Sequence, residues 1–563
     1  MPDRQTEGYG LSVEAVSVLQ QMGAKLIITV DNGVSAIEEA KLIAELGMEL
    51  IITDHHKTKA ELPKAVAVIN PHRQDCNCKF KDFAGVGVVF KLVCAVDGGD
   101  PEELLQDFGD LLAIGTIGDV VPLVGENRTI VKQGIRAIAN YPRIGVEALL
   151  NVAGAKDKKV NSSSVAYILS PRINAAGRMG SAKRALELLL ADDESYALNL
   201  ANEINAANQQ RQKIELEIFN KVEDQLSKFS SRRFDRVIVA DGDGWHSGVI
   251  GIVASRMVEK YGRPCIIISK DMGTARGSGR SLEGFSLYEA LDAVSDCLTH
   301  FGGHTLAAGM GIKNDMIDEF RIAINIYASK VEMPFPIQKI DFKLNPNSIS
   351  TEVTAALATF EPFGAGNPQP IFGLFGMKID GVQPVSEGKH TRLLLLKGDA
   401  KVTAIIFNAN TTTFPYEPGD IVDLAVVFEN NEYKRVLSVN TQIKNIRLSE
   451  LNEEGILNGI RLYEKFMRIE SLTQDEKQNA IPDREMFAAI YRTLKIKKRT
   501  RSNIEGLCVK INDDGSKICA IMLALDAMLE LGVIEQSEDG GLGLSLDQKK
   551  VNLDDSIILQ RLK

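Results

Sequence analysis

Short β-branched runs that stop at polar residues recur along the first part of the chain, and helical spacing follows them. Leu26-Ile27-Ile28-Thr29-Val30 stops at Asp31-Asn32-Gly33, and from Val34 to Leu46 the residues Ile37, Ala40, Leu42, Ile43 and Leu46 share one helical face. A second run, Leu50-Ile51-Ile52, stops at Thr53-Asp54-His55-His56. Strand, helix, strand is a βαβ unit. Its right-handed crossover brings both strand ends to one edge of a parallel sheet, where α/β folds bind ligands, and so predicts Asp31 near His55. Leu111 to Ile117, ahead of Gly118-Asp119, reads as a third strand end of this kind.

Further on, the pattern predicts helices to about residue 160, then a small-residue loop at Ser170-Pro171-Arg172-Ile173-Asn174-Ala175-Ala176-Gly177-Arg178. Gly and Pro are absent from Ala182 to Phe229, where apolar positions recur at helical spacing among Glu, Gln and Lys. That describes a long helix with a wet flank, bridging two domains. Arg236 to Ala240 reads as a strand that turns through Gly242 to Gly248 into a helix ending at Tyr261; Ala275 to Ser281 and Phe301 to Gly309 read as Gly-dense loops. After a linker at Pro334-Phe335-Pro336 and a turn-rich loop at Glu361 to Pro368 come five short strands. These are Lys378 to Val382, Thr391 to Lys397, Val402 to Phe407, Ile421 to Glu429 and Val436 to Ile443. Five strands at short spacing predict a small barrel of the OB kind. Helices at Phe487 to Leu494 and Ser516 to Leu531, then a hairpin through Gly540-Gly541, suggest a winged-helix-like end.

The length of 563 residues is enough for several domains of ordinary globular composition, and a formal charge of −10 excludes a protein that coats nucleic acid indiscriminately. Any DNA contact must come from local basic grooves. With no membrane-length apolar run and no signal-like opening, a cytoplasmic protein is expected, without a membrane partner. Seven Cys, an odd number, fit free thiols in a reducing compartment. Cys76-Asn77-Cys78 near His72 hints at a metal clip but lacks the second ligand pair of a structural zinc site, so plain thiols are the stronger reading.

Candidate chemistry gathers where the strands end. On extended backbone, neighbouring side chains point to opposite sides, so one of His55 and His56 is expected to bind a metal and the other to face substrate, with Asp54 orienting a ring nitrogen. Carboxylate, imidazole and carboxylate from Asp31, His55 and Asp119 suit Mn²⁺ or Mg²⁺. The bland alternatives are polar strand caps. Arg172 and Arg178 suit a phosphate clamp, while pairing of Arg172 with a carboxylate is an equal alternative. The Gly-rich turn ahead of the 249–261 helix is a natural anion site. His246 and His304, taken alone, read better as buried hydrogen-bonded histidines than as cleft residues. Phe407, with Lys389, His390, Arg392 and Lys401, would let the barrel stack bases, although a purely structural barrel fits too. The basic run Lys495-Ile496-Lys497-Lys498-Arg499-Thr500-Arg501 reads either as a nucleic-acid contact or as a solvated helix end.

Thr29-Val30-Asp31-Asn32-Gly33, Asp54-His55-His56 and Gly118-Asp119 resemble the second, third and fourth motifs of the DHH phosphoesterases. Glu7-Gly8-Tyr9-Gly10-Leu11 and the stretch from Asn70-Pro71 to Ala84-Gly85-Val86-Gly87-Val88 resemble the RecJ family, single-strand-specific 5′ to 3′ exonucleases of DNA repair and recombination. The resemblance implies an α/β fold in which a parallel-sheet DHH domain (1–181) and an α/β DHHA1 domain (233–332) are joined by a long helix (182–232). An OB-like barrel (336–450) and an α+β C-terminal module (451–563) follow. It implies metal ligands Asp31, His55 and Asp119, catalytic roles for His56 and Asp54, and a two-metal Mn²⁺ or Mg²⁺ site. Arg172, Arg178, His246, Arg276, Ser278, Arg280 and His304 would line the DNA cleft, with Ser278 and Arg280 on the 5′ phosphate. The barrel would feed the strand to a cleft too narrow for duplex. Single-stranded DNA is the expected partner, with a single-strand-binding protein or a helicase as a further one. The family's first motif, an Asp-x-Asp on a preceding strand, has no counterpart here. The expectation is therefore a truncated chain with an incomplete metal site, poor activity and a tendency to aggregate. A non-catalytic single-strand binder or scaffold, and a small-molecule phosphodiesterase of the same superfamily, are the rival readings.

Overall fold

The computed structural model describes residues 10–563 except positions 181, 229, 336, 434, 435, 450, 497, 498, 501–503, 538–540 and 547–550. Glu7, Gly8, Tyr9, Phe229, Pro336, Lys497, Lys498, Arg501 and Gly540 thus lie outside the described residues. The chain divides into two compact units: residues 1–223, 239–324 and 360–369 form one, and the remainder the other.

The first unit opens with three parallel strands, β1 (Leu26–Val30), β2 (Glu49–Thr53) and β3 (Ala67–Ile69), in that order. Leu26 pairs with Glu49 and Val30 with Thr53, so the two strand ends are level, as the βαβ pattern predicts. Ile27, Leu50 and Ile52 bury against Val16, Ala40 and Ile43. The other side of β1 is apolar as well, yet Leu26, Ile28 and Val30 are each about half exposed there.

Three stretches differ from the sequence pattern. Leu111 to Asp119 is no strand; it is the end of an 18-residue helix, Pro101–Gly118, with Asp119 as its C-cap. A short apolar run does not distinguish a buried strand from a buried helix, and Leu112, Ala113, Ile114 and Thr116 are buried here. Ser170 to Arg178 is no loop but the helix Ser170–Met179, entered through a π-helical turn at Val165–Leu169 with Pro171 in its first turn. The small residues serve close helix packing: Ser170 Oγ would lie 3.3 Å from a Cβ at Gly118. The long helix is broken once, into Ala182–Leu189 and Glu194–Lys228, where Asp193 accepts a hydrogen bond from the Tyr196 amide and restarts it.

The second sheet of this unit comprises β4 (Ile238–Asp243), β5 (Cys265–Lys270), β6 (Thr274–Arg280), β7 (Leu298–Gly303) and β8 (Ala307–Lys313), in the order β4-β5-β6-β8-β7. The Ala275 to Ser281 stretch falls on β6, and Phe301 to Gly309 is the end of β7 and the start of β8 joined by a tight turn at residues 304–306. Bulky neighbours occupy the room the missing side chains leave: a Cβ on Gly277 would lie 2.8 Å from Met310 Cε.

In the second unit β9 (Phe342–Lys343) pairs with the first barrel strand, β10 (Phe372–Val385). Strands β11 (His390–Lys397), β12 (Ala400–Ile406), β13 (Ile421–Tyr433) and β14 (Val436–Leu448) complete the barrel. The order β11-β12-β14-β13-β10 closes through β10–β11, with β12 and β14 parallel, which is the OB arrangement. Within the C-terminal module, between the helices Glu453–Met467 and Gln474–Ala480 and a last helix Ile557–Leu562, the chain runs helix Arg484–Ile496, β15 (Arg499–Thr500), helices Ile504–Lys510 and Ile518–Glu530, then β16 (Ile534–Gln536) and β17 (Gly541–Leu544). That is the element order of a winged helix. Its Ile518–Glu530 helix carries no Lys or Arg and is buried along most of its length, so it cannot enter a DNA groove.

Candidate metal centre and phosphate cleft

Asp31 closes β1 with φ of 62°, a conformation that disfavours residues bearing a Cβ. It is held there on both sides. Its amide donates to Thr53 O at 3.0 Å, and Thr29 Oγ1 donates to Asn32 O at 2.8 Å. Turned this way, its carboxylate meets His55 Nε2 at 3.0 Å, and the same nitrogen lies 3.3 Å from Asp119 Oδ2. The three predicted metal ligands therefore converge, although the third comes from a helix end. Glycines allow this. A Cβ at Gly85 would overlap the Asp31 carboxylate, and one at Gly115 would lie 2.8 Å from Val86 Cγ1.

Asp54 is almost wholly buried and organises the histidines. It accepts hydrogen bonds from the amides of Val34 (3.0 Å), His55 (2.7 Å) and His56 (3.1 Å), and its Oδ1 lies 2.7 Å from His56 Nδ1. Burial pushes its pKa up, but the His56 contact and the amides outweigh this and hold it below the ordinary carboxylate value. The expectation that His55 and His56 point to opposite sides does not hold. The strand has ended, Asp54 gathers the next two amides, and the rings come to one side with centroids 4.5 Å apart. One ligand atom each from Asp31, His55 and His56 lie within 4.8 Å of one another. Nδ1 of His56 is held on Asp54, which leaves Nε2 as the ring nitrogen available for chemistry.

The charges fit a divalent cation. Burial and the Asp31 charge raise the Asp119 pKa against the pull of His55. For His55, burial opposes protonation, yet the Asp31 hydrogen bond and the Asp119 and Asp31 charges prevail and raise its pKa; His56 is raised by its bond to Asp54. Carboxylates packed this closely around imidazole nitrogen are relieved by a bound cation, and the oxygen and nitrogen donors suit Mn²⁺ or Mg²⁺.

The cleft residues divide. Arg276, Ser278 and Arg280 alternate along β6 and share one side, with Ala275, Gly277 and Gly279 buried on the other. Arg280 donates to Ser278 Oγ (3.2 Å) and Gly279 O (2.8 Å); no carboxylate partner occurs among the described residues, and burial lowers its pKa. Beneath it runs the helix Ser247–Tyr261. A Cβ at Gly251 would lie 2.8 Å from Ser278 Oγ and 3.1 Å from Arg280 Nη2. His246 caps that helix, its Nδ1 accepting from the Gly248 amide at 3.1 Å, and Arg178 Nη1 donates to Gly248 O at 2.8 Å. Arg178, His246, Ser278 and Arg280 thus meet the first two turns of one helix. Arg276 is exposed, and His304 sits in the exposed β7–β8 turn, so neither is a buried hydrogen-bonded residue. Arg172 pairs with no carboxylate among the described residues: it bonds Ile168 O (2.8 Å) and Asn205 Oδ1 (3.0 Å).

Sequence reasoning missed Gly85 and Gly251, and also Asn70, whose Nδ2 donates to His56 O at 2.9 Å. Only the family resemblance pointed at the Asn70 to Val88 stretch.

Two α/β sheets, one ending in Asp31 and Asp54-His55-His56 and the other bearing Ser278 and Arg280, have the domain make-up of the DHH phosphoesterase class. Profiles for the DHH family N-terminal domain, the DHHA1 domain and the RecJ OB domain match residues 1–116, 234–330 and 340–445. The single-stranded-DNA-specific exonuclease RecJ of Escherichia coli is 35% identical over 79% of this chain and 81% of its own length. RecJ of Bacillus subtilis is 36% identical over 80% of this chain but 57% of its own length. The crystal structure of RecJ from Thermus thermophilus in complex with Mn²⁺ superposes with a TM-score of 0.68 at 32% identity, covering 78% of this chain and 64% of that one. The chain belongs to the RecJ family. It spans less than two thirds of the Bacillus and Thermus relatives. No helix among the described residues is long and apolar enough to cross a membrane.

Proposed function

We propose that this chain hydrolyses single-stranded DNA from its 5′ end in DNA repair and recombination, using a divalent cation held by Asp31, His55 and Asp119. The observation that carries the reading is one imidazole nitrogen, His55 Nε2, set between the Asp31 and Asp119 carboxylates at 3.0 and 3.3 Å. A bound Mn²⁺ or Mg²⁺ supplies a water of lowered pKa and polarises the scissile phosphate. Asp54 fixes His56 so that Nε2 faces the reacting phosphoryl group and stabilises its charge. Ser278 and Arg280, supported at Gly251, take the terminal 5′ phosphate; Arg178 and His246 hold the helix start beside it. Arg276, His304 and Arg172 contribute to the same cleft. The setting is cytoplasmic, with a single-strand-binding protein or a helicase delivering the strand.

End-labelled oligonucleotides test this reading. With Mn²⁺, mononucleotides are expected from the 5′ end of single strands and not from blunt duplex, faster when the 5′ end is phosphorylated. Arg280→Ala and Gly251→Ala should lose that preference, since the first removes the guanidinium and the second displaces it. Release from 3′ ends, equal attack on duplex, or an unchanged phosphate preference in both variants contradicts the reading.

The barrel offers the stacking surface. Phe407 is exposed just past the end of β12, with the His390 ring 5.1 Å away edge-on and the exposed Lys389 next to His390; Lys401, also exposed, lies at the opposite end of β12. A base stacked on Phe407 contributes about 1–3 kcal/mol. Phe407→Ala should weaken oligonucleotide binding by roughly that amount in fluorescence anisotropy at low salt with chelator present; unchanged affinity makes the barrel structural.

A further inference from the structure

The loop between β3 and the helix Gly85–Asp97 carries two thiols that the phosphoesterase chemistry does not use. Cys76 and Cys78 place their Sγ atoms 3.3 Å apart. A disulfide requires about 2.05 Å, so the two sulfurs already stand in contact, little more than about 1 Å beyond the bonded distance. Cys78 also reaches Phe80 O at 3.3 Å, and Lys81 Nζ donates to Cys76 O at 3.2 Å. The pair forms part of the wall of an open pocket of about 640 Å³, lined also by Asn70, Phe80, Phe83 and Lys91, which admits a small oxidant.

The two sulfurs are not equivalent. Hydrogen bonds from Cys78 lower the Cys76 pKa, helped by Lys81 and Arg73, while burial and the neighbouring Cys76 raise that of Cys78. The thiolate is the nucleophile, which assigns attack to Cys76. The other five cysteines are unsuited to the role. Cys265, Cys297, Cys508 and Cys519 are buried, and Cys94 is partly so. Burial pushes the thiols of Cys508 and Cys519 up to about 12.

We propose that Cys76 and Cys78 form a reversible thiol–disulfide site that reacts with peroxides. The Cys76 thiolate attacks one peroxide oxygen, the O–O bond breaks, and the departing hydroxide takes a proton to leave as water. Cys76 is now a sulfenic acid. Cys78 sulfur attacks the Cys76 sulfur, the S–O bond breaks, and a second water leaves with the Cys78 proton. Two thiols have given two electrons to one hydrogen peroxide, and the chain has lost two hydrogens. A dithiol reductant reverses the step.

Hydrogen peroxide applied to the full chain in the presence of chelator, followed by alkylation and mass spectrometry, tests this. The expected result is loss of two alkylation sites, a mass decrease of two hydrogens, a Cys76–Cys78 linkage in the digested peptide, and recovery of both thiols on reduction. In Cys78→Ser, the expected product is a Cys76 sulfenic acid captured by dimedone, with no disulfide; in Cys76→Ser, neither product forms. Both residues lie in a surface loop, so either variant should fold. Full alkylation of both thiols after peroxide overturns the proposal. So does progression of Cys76 to sulfinic acid in the unmutated chain, or oxidation of a buried cysteine first. Alkylation blocked without loss of mass, with one zinc ion bound per chain when chelator is omitted, also overturns it by making the pair a metal clip.

Discussion

His55→Ala is expected to reduce Mn²⁺-dependent nucleotide release by roughly a hundredfold or more, the scale seen when one preorganised electrostatic group is removed from an active site. The loss follows from position. His55 Nε2 lies between two carboxylates contributed by a strand end and a helix end, and no other imidazole among the described residues is placed to bridge them. Asp54→Asn should cost less, about 10–100-fold, because Asp54 orients His56 without lying among the metal ligands. Steady-state rates on a single-stranded oligonucleotide at saturating Mn²⁺ check both. Near-wild-type turnover in His55→Ala, or a larger loss in Asp54→Asn than in His55→Ala, contradicts this division of roles.

Mn²⁺ affinity is expected to rise with pH through the window above the ordinary histidine value of 6.5, by up to about tenfold per pH unit for one displaced proton. The sign follows from the raised pKa values of His55 and His56. In the metal-free chain, the contacts of their protonated rings with the carboxylates stabilise the fold fully below about 6.5, and that contribution is lost as pH rises through the higher folded-state values. Metal binding needs the neutral ring and gains over the same window. The melting temperature should therefore fall without metal and the increment from Mn²⁺ should widen, between about pH 6 and about pH 8. A Mn²⁺ increment that is flat across this range places the proton-linked ligand elsewhere.

The parts of this site legible in the sequence were those that a local pattern can encode. Two apolar runs ending in Asp31 and in Asp54-His55-His56 sufficed to put those residues together, because a right-handed crossover leaves little freedom. Asp119 was expected at a strand end and reaches His55 from a helix end: a buried helix and a buried strand look alike over a short apolar run, and only packing against Val86 and Ser170 separates them. The barrel strands were visible because one side of each is wet and the other is core. Strand β6 was not, since glycine has little strand preference and its extended form depends on pairing with β5 and β8. Gly85 and Gly251 were out of reach for the same reason, as each acts by leaving room for a side chain far away in sequence. The shared side of His55 and His56 was misjudged because the extended-strand rule was applied past the residue, Asp54, that ends the strand.

Binding of Mn²⁺ followed by the loss of the free-ion electron paramagnetic resonance signal tests the central claim most directly. The unmutated chain is expected to bind Mn²⁺ saturably, Asp31→Ala and His55→Ala to lose that binding, and His304→Ala to retain it. Undiminished binding in Asp31→Ala and His55→Ala would show that the converging strand and helix ends are not the metal centre.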